Sequence, residues 1–261
     1  MRLLKKTAIW VIVLIYMIIV FGFMSNRYNG QLCNSIEINI YDSVNTGFLS
    51  KEDIIELLES KGIQYLGIQL SEINLDLLEE KVKENQIVEV CESYLGINGT
   101  LNLDIIQRKP FIRIIDQKGL GYYFDQKGNV ISLSPRFTPH VLVVNGHINT
   151  PFTVGKAVNI FNIDESRGQK QLKDIFILSK YIAGHELWKS QFVQIYVNKS
   201  GEFELIPRVG PHIILLGNIE NFEQKLDKLE TFYEDGLNTI GWNQYLTINL
   251  KYRDQVVCTK I

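Results

Sequence analysis

The chain of 261 residues is 46% hydrophobic and 21% charged, and its formal net charge is −2. Without the three basic residues of the first seven, the remainder carries 24 basic and 29 acidic residues, a net charge of −5. A mildly acidic chain with no basic run is poorly suited to binding nucleic acid. Its three cysteines, Cys33, Cys91 and Cys258, are far apart, which leaves either inert thiols or a single bridge.

An apolar segment at residues 8–24, AIWVIVLIYMIIVFGFM, contains no charge and no proline. A helix that rises ~1.5 Å per residue would carry it across most of a hydrocarbon core of about 30 Å. The basic tail at residues 1–7 predicts a cytoplasmic N-terminus and export of the rest. A cleaved signal peptide would need a small-x-small site, which residues 25–27 (SNR) do not supply. We therefore expect a single-pass membrane anchor, followed by a spacer at residues 25–35.

Residues 36–108 have the pattern of a small α+β domain in the order strand, helix, helix, strand, strand. Isoleucines alternate with polar residues from Ile36 onward, which predicts a half-buried strand. Ser50 and Asp53 form a capping box, and Asn74 is a second N-cap, so helices are predicted to begin there. The residues expected to pack against one face of a three-stranded sheet are Ile54, Ile55, Leu57, Leu58, Leu77, Leu78 and Val82.

Residues 109–261 have a β-rich pattern with two helices. The tetrapeptide Asp-Gln-Lys-Gly occurs at residues 116–119 and again at 125–128. Asp in the first position with Gly in the fourth is typical of β-turns, so three consecutive strands should form a meander. Helical spacing of apolar residues predicts a long helix after Asp164 and a last helix near its C-terminal end. The inward residues are expected to be Leu172, Ile175, Phe176 and Ile182 in the first, and Phe222, Leu226, Leu229 and Tyr233 in the second.

Two strands are predicted at the C-terminal end, at residues 246–253 and 256–260. In the first, Leu246, Ile248, Leu250 and Tyr252 alternate with polar residues and should face the core. The final strand is expected to form a sheet edge, whose unpaired backbone groups can pair with an incoming segment. The alternative is that Lys251 and Arg253 are edge charges that only discourage aggregation.

No established motif for catalysis or for metal or cofactor binding occurs in the sequence. Residues 185–189 (HELWK) come nearest to the zincin motif, but Lys189 replaces the second histidine, and an ammonium cannot bind zinc. P-loop, nucleophile-elbow and dinucleotide patterns are absent. Asp116 and Asp125 lie in identical turns, which explains both carboxylates structurally. We therefore expect a protein without enzyme activity, catalytic residues, cofactor, metal or small-molecule substrate.

Five segments of the chain, each of low specificity alone, occur in a characteristic order. They are residues 107–111 (QRKPF), 122–130 (YYFDQKGNV), 141–146 (VLVVNG), 210–217 (GPHIILLG) followed by Lys225-Leu226, and 248–252 (INLKY). They resemble, in turn, the E-R-x-P, D-x-x-G-x-v, l-P-x-l-x-G, v-x-l-G…K-l and I-D-L-R-Y motifs of the bacterial cell-division family FtsQ, called DivIB in some groups. Gln107, Asn249 and Lys251 depart from the family's acid, Asp and Arg.

The resemblance implies an α+β protein with a POTRA domain of βααββ order at residues 36–108 and an FtsQ-type β-domain at 109–261. It implies a non-enzymatic scaffold that binds the FtsB–FtsL pair, links early and late division proteins and promotes septal peptidoglycan synthesis, with the septal synthase complex as a further partner. The protein would lie in the cell inner membrane at the division septum. Residues 8–24 would contact lipid, and the body would be periplasmic.

The resemblance also places the FtsB contact on the stretch from Tyr252 onward. A strand of the partner is expected to add to the edge near residues 256–259, beside acidic partner side chains that pair with Lys251 and Arg253. The predicted partner-binding residues are Lys251, Tyr252, Arg253, Asp254, Gln255, Val256, Val257, Cys258 and Thr259.

Two other functional classes compete with a division scaffold. A membrane-anchored periplasmic sensor or ligand-binding protein is the first alternative. Such a sensor normally carries a signalling domain or a second span, whereas only residues 1–7 are expected in the cytoplasm. An anchored cell-wall hydrolase is the second alternative, and the missing catalytic motifs argue against it.

Overall fold

A computed structural model describes residues 10–20, 30–41, 47–96, 98–164 and 166–261. The chain divides into two compact units, Met1–Gln107 (unit 1) and Arg108–Ile261 (unit 2). Residues 10–20 form a helix, α1, and the predicted anchor at 8–24 extends beyond the described residues at both ends. Within the described ranges, no helix has both the length and the apolar character needed to cross a membrane.

After α1, unit 1 contains a three-stranded sheet and two further helices, α2 and α3, in the predicted order. Its strands lie in the order β1-β3-β2, with β1 parallel and β2 antiparallel to the central β3. The elements are β1 (Ser35–Tyr41), α2 (Lys51–Ser60), α3 (Leu75–Lys83), β2 (Val88–Leu95) and β3 (Thr100–Gln107), with a 3-10 turn at Leu70–Glu72.

Side-chain caps begin α2 and α3 where the sequence predicts them. The Ser50 hydroxyl accepts a hydrogen bond from the Asp53 amide at 3.3 Å, and the Asp53 carboxylate accepts one from the Ser50 amide at 2.8 Å. The Asn74 side chain accepts a hydrogen bond from the Leu77 amide at 3.0 Å. Because these contacts join residues three apart, they depend on local sequence and little else.

The prediction that Leu77 faces the core is wrong, because its side chain is 45% exposed. Leu78 and Val82, four residues apart, are both buried and define the inward face of α3. Successive residues of a helix are rotated by about 100° about its axis. Leu77, one residue before Leu78, is therefore turned away from that face.

Unit 2 is built on a nine-stranded sheet with the order β12-β11-β10-β9-β8-β7-β4-β5-β6. Its strands are β4 (Pro110–Ile115), β5 (Gly121–Asp125), β6 (Val130–Ser132), β7 (Leu142–Gly146), β8 (Phe192–Val197), β9 (Phe203–Pro207), β10 (Ile213–Gly217), β11 (Tyr245–Asn249) and β12 (Val257–Lys260). Its helices are α4 (Arg167–Gly184), α5 (Glu186–Gln191), α6 (Phe222–Thr231) and α7 (Asn238–Ile240), and a π-helical segment, Phe232–Leu237, joins the last two.

Helices connect two of the three parallel strand pairs of unit 2. β4, β7 and β8 are parallel neighbours, and α4 and α5 lie between β7 and β8 in the chain. β10 and β11 are also parallel, with α6 to α7 between them. The inward residues predicted for α4 are confirmed, since Leu172, Ile175, Phe176 and Ile182 are at most 4% exposed. They belong to one core with the buried face of the sheet.

The two Asp-Gln-Lys-Gly turns have the same local structure. Each aspartate accepts hydrogen bonds on Oδ1 from the amides two and four residues later, at 2.8 and 2.9 Å. The glycines, Gly119 and Gly128, have φ values of 82° and 81°, which glycine adopts without steric cost. Asp125 has two further donors on Oδ2, Arg108 at 3.0 Å and the Asn129 side chain at 2.8 Å.

Candidate partner-binding edge

The last strand, β12, forms one edge of the nine-stranded sheet. It pairs antiparallel with β11 through Asn249 opposite Val257 and Thr247 opposite Thr259. The hydroxyls of these two threonines lie 3.0 Å apart and tie the strands together. In the part of the chain that the structure describes, no strand pairs with the other side of β12. Its backbone donors and acceptors on that side are therefore open to solvent.

The strand before this edge is shorter than predicted. β11 ends at Asn249 rather than continuing to Arg253, and Leu246 and Tyr252 are each 48% exposed. Of the four residues expected to face the core, only Ile248 and Leu250 do so. The Asn249 side chain accepts a hydrogen bond from the Lys251 amide at 3.0 Å, which turns the chain out of the sheet. The alternation of apolar and polar residues runs on to Arg253, past the end of β11, and therefore predicted too long a strand.

The connection from β11 to β12 is held against the neighbouring strands. The Leu250 amide donates to the Leu215 carbonyl at 3.0 Å, so Leu250 stays anchored beside β10. The Lys251 ammonium pairs with Glu202 at 3.2 Å. Its aliphatic stem packs over Gly217, where a Cβ atom would come within 2.8 Å of Lys251 Cγ. The predicted site residue Lys251 thus has a fixed stem and an ammonium at the surface.

Basic residues of α6 lie beside this connection and form a cleft of about 510 Å³. The Lys228 ammonium donates to the backbone carbonyls of Tyr252 and Arg253, the latter at 3.1 Å. Lys225 donates to the Asn218 carbonyl at 2.9 Å, and its partial burial lowers its pKa. The cations that line the cleft, here called the basic cleft, are Lys225, Lys228, Lys251 and Arg253.

The predicted partner-binding residues fall into two groups in space. Lys251, Tyr252 and Arg253 line the basic cleft, whereas Val257, Cys258 and Thr259 belong to β12. Between them, Asp254 and Gln255 are exposed, and Val256 is partly buried against the core. Burial raises the pKa of the Cys258 thiol, which makes this residue a weakly reactive, neutral contact.

Sequence reasoning did not predict that Lys225 and Lys228 belong to this site. Each directly precedes a buried leucine of α6, Leu226 or Leu229, so the helical period predicts a position at the border of the buried face. Their proximity to residues 251–253 depends on the crossover from β10 to β11, which no local pattern encodes.

The nearest candidate for a catalytic site contains no catalytic arrangement. His185 is the N-cap between α4 and α5, where its ring stacks between Tyr181 and Trp188. Lys189 pairs with Glu186 at 2.7 Å. Across the described ranges, no group of three or more His, Cys, Asp or Glu side chains could hold a metal ion. All three cysteines are free, and Cys33 and Cys91 are buried.

Comparison with known families gives two matches that together cover most of the chain. The family model described as FtsQ/DivIB, C-terminal related, matches residues 109–259. The model described as POTRA-like domain matches residues 31–106. The first match alone exceeds half of the 261 residues. Among curated proteins, no match was found.

Proposed function

Because the chain belongs to the FtsQ/DivIB family, we propose that it is a membrane-anchored scaffold that binds division proteins of the FtsB and FtsL type. The family membership supports a role as a cell-division scaffold. The finer steps, recruitment of the FtsB–FtsL pair and support of septal peptidoglycan synthesis with the septal synthase complex, are the proposal.

The open side of β12 is the observation that carries the proposal. A four-residue strand at the edge of the sheet presents unpaired backbone groups that an extended partner segment can bind by strand addition. The exposed side chains of Val257 and Thr259 stand beside it and would supply side-chain selectivity. The site therefore comprises residues 251–259.

The basic cleft supports a second part of the contact. Four cations lie next to the edge, and Glu220 is the acidic residue in the lining. Opposite charges across an interface chiefly increase the association rate and fix the register. An acidic side chain on the partner, placed just before or after its added strand, would pair with Lys251 or Arg253.

The membrane attachment is proposed from the sequence. Residues 8–24 would span the inner membrane with residues 1–7 in the cytoplasm and the two units in the periplasm. Protease added to spheroplasts is expected to degrade both units while the anchor stays in the membrane. A mature protein that starts near Arg27 would show instead that the segment is a cleaved signal.

The partner site is tested by removing residues 254–261 from the full chain. We expect the truncated protein to be exported and folded and to lose capture of the FtsB–FtsL pair. A matched control lacks Ile261 alone, a 70% exposed residue beyond β12, and should bind normally. Normal capture by the folded, truncated protein would refute this site.

A further inference from the structure

The sheet of unit 1 has one face packed against helices and one open face. Ile38, Cys91 and Leu103 point to the side of α2 and α3 and are buried in the unit 1 core. Side chains alternate along a strand, so their neighbours lie on the opposite side. The open face consists of Glu37, Asn39, Tyr41, Val90, Glu92, Tyr94, Asp104 and Ile106, together with the buried Asn102.

The charges of this open face have one sign. Strands β1, β2 and β3 contain no lysine, arginine or histidine. Glu92 lies directly opposite Asp104 in the antiparallel ladder. Like charges at such a position destabilise a sheet. No ion pair to either carboxylate occurs among the residues that the structure describes, so the repulsion is not offset there.

Two polar side chains hold the Asp104 carboxylate in place. The Asn39 side chain donates to Asp104 Oδ1 at 3.0 Å from the neighbouring strand. The negative charge of Asp104, close to the Tyr41 hydroxyl, raises the pKa of Tyr41. The carboxylate is thus oriented by an amide and a hydroxyl.

Large apolar surface surrounds this carboxylate pair. Tyr41 is 52% exposed, Tyr94 is 48% exposed and Ile106 is 40% exposed. A site for a planar cation needs anionic hydrogen-bond acceptors and a flat apolar surface. The two carboxylates provide the first, and the two aromatic rings with the aliphatic side chain provide the second. A guanidinium can donate two parallel hydrogen bonds to a carboxylate and stack on an aromatic ring, which an ammonium does less well.

We propose that the open face of the unit 1 sheet binds an arginine-bearing segment of a protein partner. The guanidinium would lie between Glu92 and Asp104 and contact Tyr94 or Tyr41. A neutral glycan would use the tyrosines but leave the opposed carboxylates without a counter-charge, so a cationic peptide fits better. The site belongs to unit 1 and β12 to unit 2, and the proposal does not depend on the function proposed for that edge.

Peptide binding to the full chain in detergent tests this site. The probe is a fluorescent peptide, acetyl-Gly-Arg-Val-Arg-Gly-amide, and its control has neutral citrulline in place of both arginines. We expect the arginine peptide to bind about 10-fold more tightly, and added salt to reduce the difference. Glu92→Gln combined with Asp104→Asn should abolish the preference, and Tyr94→Ala should weaken binding of the arginine peptide.

A matched control variant separates site-specific from general charge effects. Glu56→Gln with Glu59→Gln removes two exposed acids from α2 and should leave peptide binding unchanged. Glu92→Gln alone should raise the thermal midpoint of unfolding, because it relieves a like-charge pair, while it weakens peptide binding. A residue with a purely structural role is not expected to raise the thermal midpoint and weaken peptide binding when it is replaced.

Three results would overturn the proposal. The first is equal binding of the arginine and citrulline peptides. The second is equal loss of binding in the α2 control and the open-face variant. The third is binding of a cell-wall glycan fragment that Tyr94→Ala abolishes, with no binding of the arginine peptide to the same protein.

Discussion

The two edges of the nine-stranded sheet differ in whether another segment of the chain covers them. At β6, the segment that follows β7 returns along the strand, where Val130 donates to the Val158 carbonyl at 2.9 Å and Ile160 donates to Gly128 at 3.0 Å. At β12, no described segment provides such a cover. Exposed edges invite pairing with other chains, so most proteins protect them. One protected and one open edge in the same sheet support the proposal that a partner strand binds the open edge.

The largest expected effect comes from blocking the open edge. Val257→Pro removes a backbone donor from β12 and fixes φ. A carbonyl of the added partner strand would then lack its donor, at a cost of up to about 3 kcal/mol. We expect partner affinity to fall about 100-fold. Titration calorimetry of the purified chain with an FtsB–FtsL pair measures this loss of affinity.

The matched control places the same change at the protected edge. Ser132→Pro in β6 should leave partner affinity within about twofold, because the two edges are well separated in the sheet. A similar loss in both variants would mean that proline acts on the fold rather than on the binding edge.

The next effect concerns the cover of β6. The Asn159 side chain donates to the Lys127 carbonyl at 2.9 Å and to Asn129 Oδ1 at 3.0 Å, and it accepts from the Phe161 amide at 2.9 Å. Asn159→Ala should lower the free energy of unfolding by about 2 kcal/mol, since it removes three hydrogen bonds. Chemical denaturation measures the loss, and Asn162→Ala in the same exposed segment is the control. Equal losses would show that the side chain does not hold the cover.

A smaller effect distinguishes the two identical turns. Asp125, in the turn that leads to β6, binds Arg108 and Asn129 in addition to its turn amides. Asp125→Asn should therefore cost about 1.5 kcal/mol more unfolding free energy than Asp116→Asn. Thermal unfolding of the two variants gives the comparison directly. Equal costs would mean that the Arg108 contact contributes nothing.

The smallest effect is a pH dependence on the β12 side of the sheet. His212, next to β10, is 1% exposed, contacts the Tyr233 hydroxyl at 3.1 Å, and has a pKa lowered chiefly by burial. Its folded pKa lies below the unfolded value of 6.5, so the unfolded state binds the proton more readily. The contribution of neutral His212 to the free energy of unfolding should be fully present above pH 6.5. It should be lost as the pH falls below that value.

Replacing a histidine identifies the titrating group. His212→Gln should flatten the pH dependence of the unfolding free energy between pH 7 and pH 5, and the exposed His140→Gln should not. A wild-type slope that survives in His212→Gln would assign the effect to another residue.

Much of the fold was predictable because its signals are local. Ser50 and Asn74 cap helices through residues three positions away, and the repeated aspartates of unit 2 determine their own turns. The errors occur where distant contacts decide. Tyr252 continues an alternating pattern, yet β11 stops at Asn249, whose side chain turns the chain. Leu246 lies within β11 at a register shift in its pairing with β12. The proximity of Lys225 to the candidate site depends on a crossover that no short pattern records.

The edge of β12 was predictable in kind but not in detail. Val256 to Cys258 have strand character in the sequence, and the structure places β12 at an edge. The sequence does not predict that the β6 edge is covered while the β12 edge is open. The covering segment at β6 is residues 158–160, about thirty positions along the chain from that strand. Long-range pairing of this kind follows from packing, which a single sequence does not display.

Hydrogen exchange of the backbone amides tests the central claim most directly, since it reports both edges in one experiment. The full chain in detergent is compared with and without a bound FtsB–FtsL pair. We expect amides of residues 257–260 to exchange at least about 10-fold more slowly in the complex, and those of residues 130–132 to be unchanged. A complex that forms without slowing exchange at residues 257–260 would contradict the assignment of β12 as the partner-binding edge.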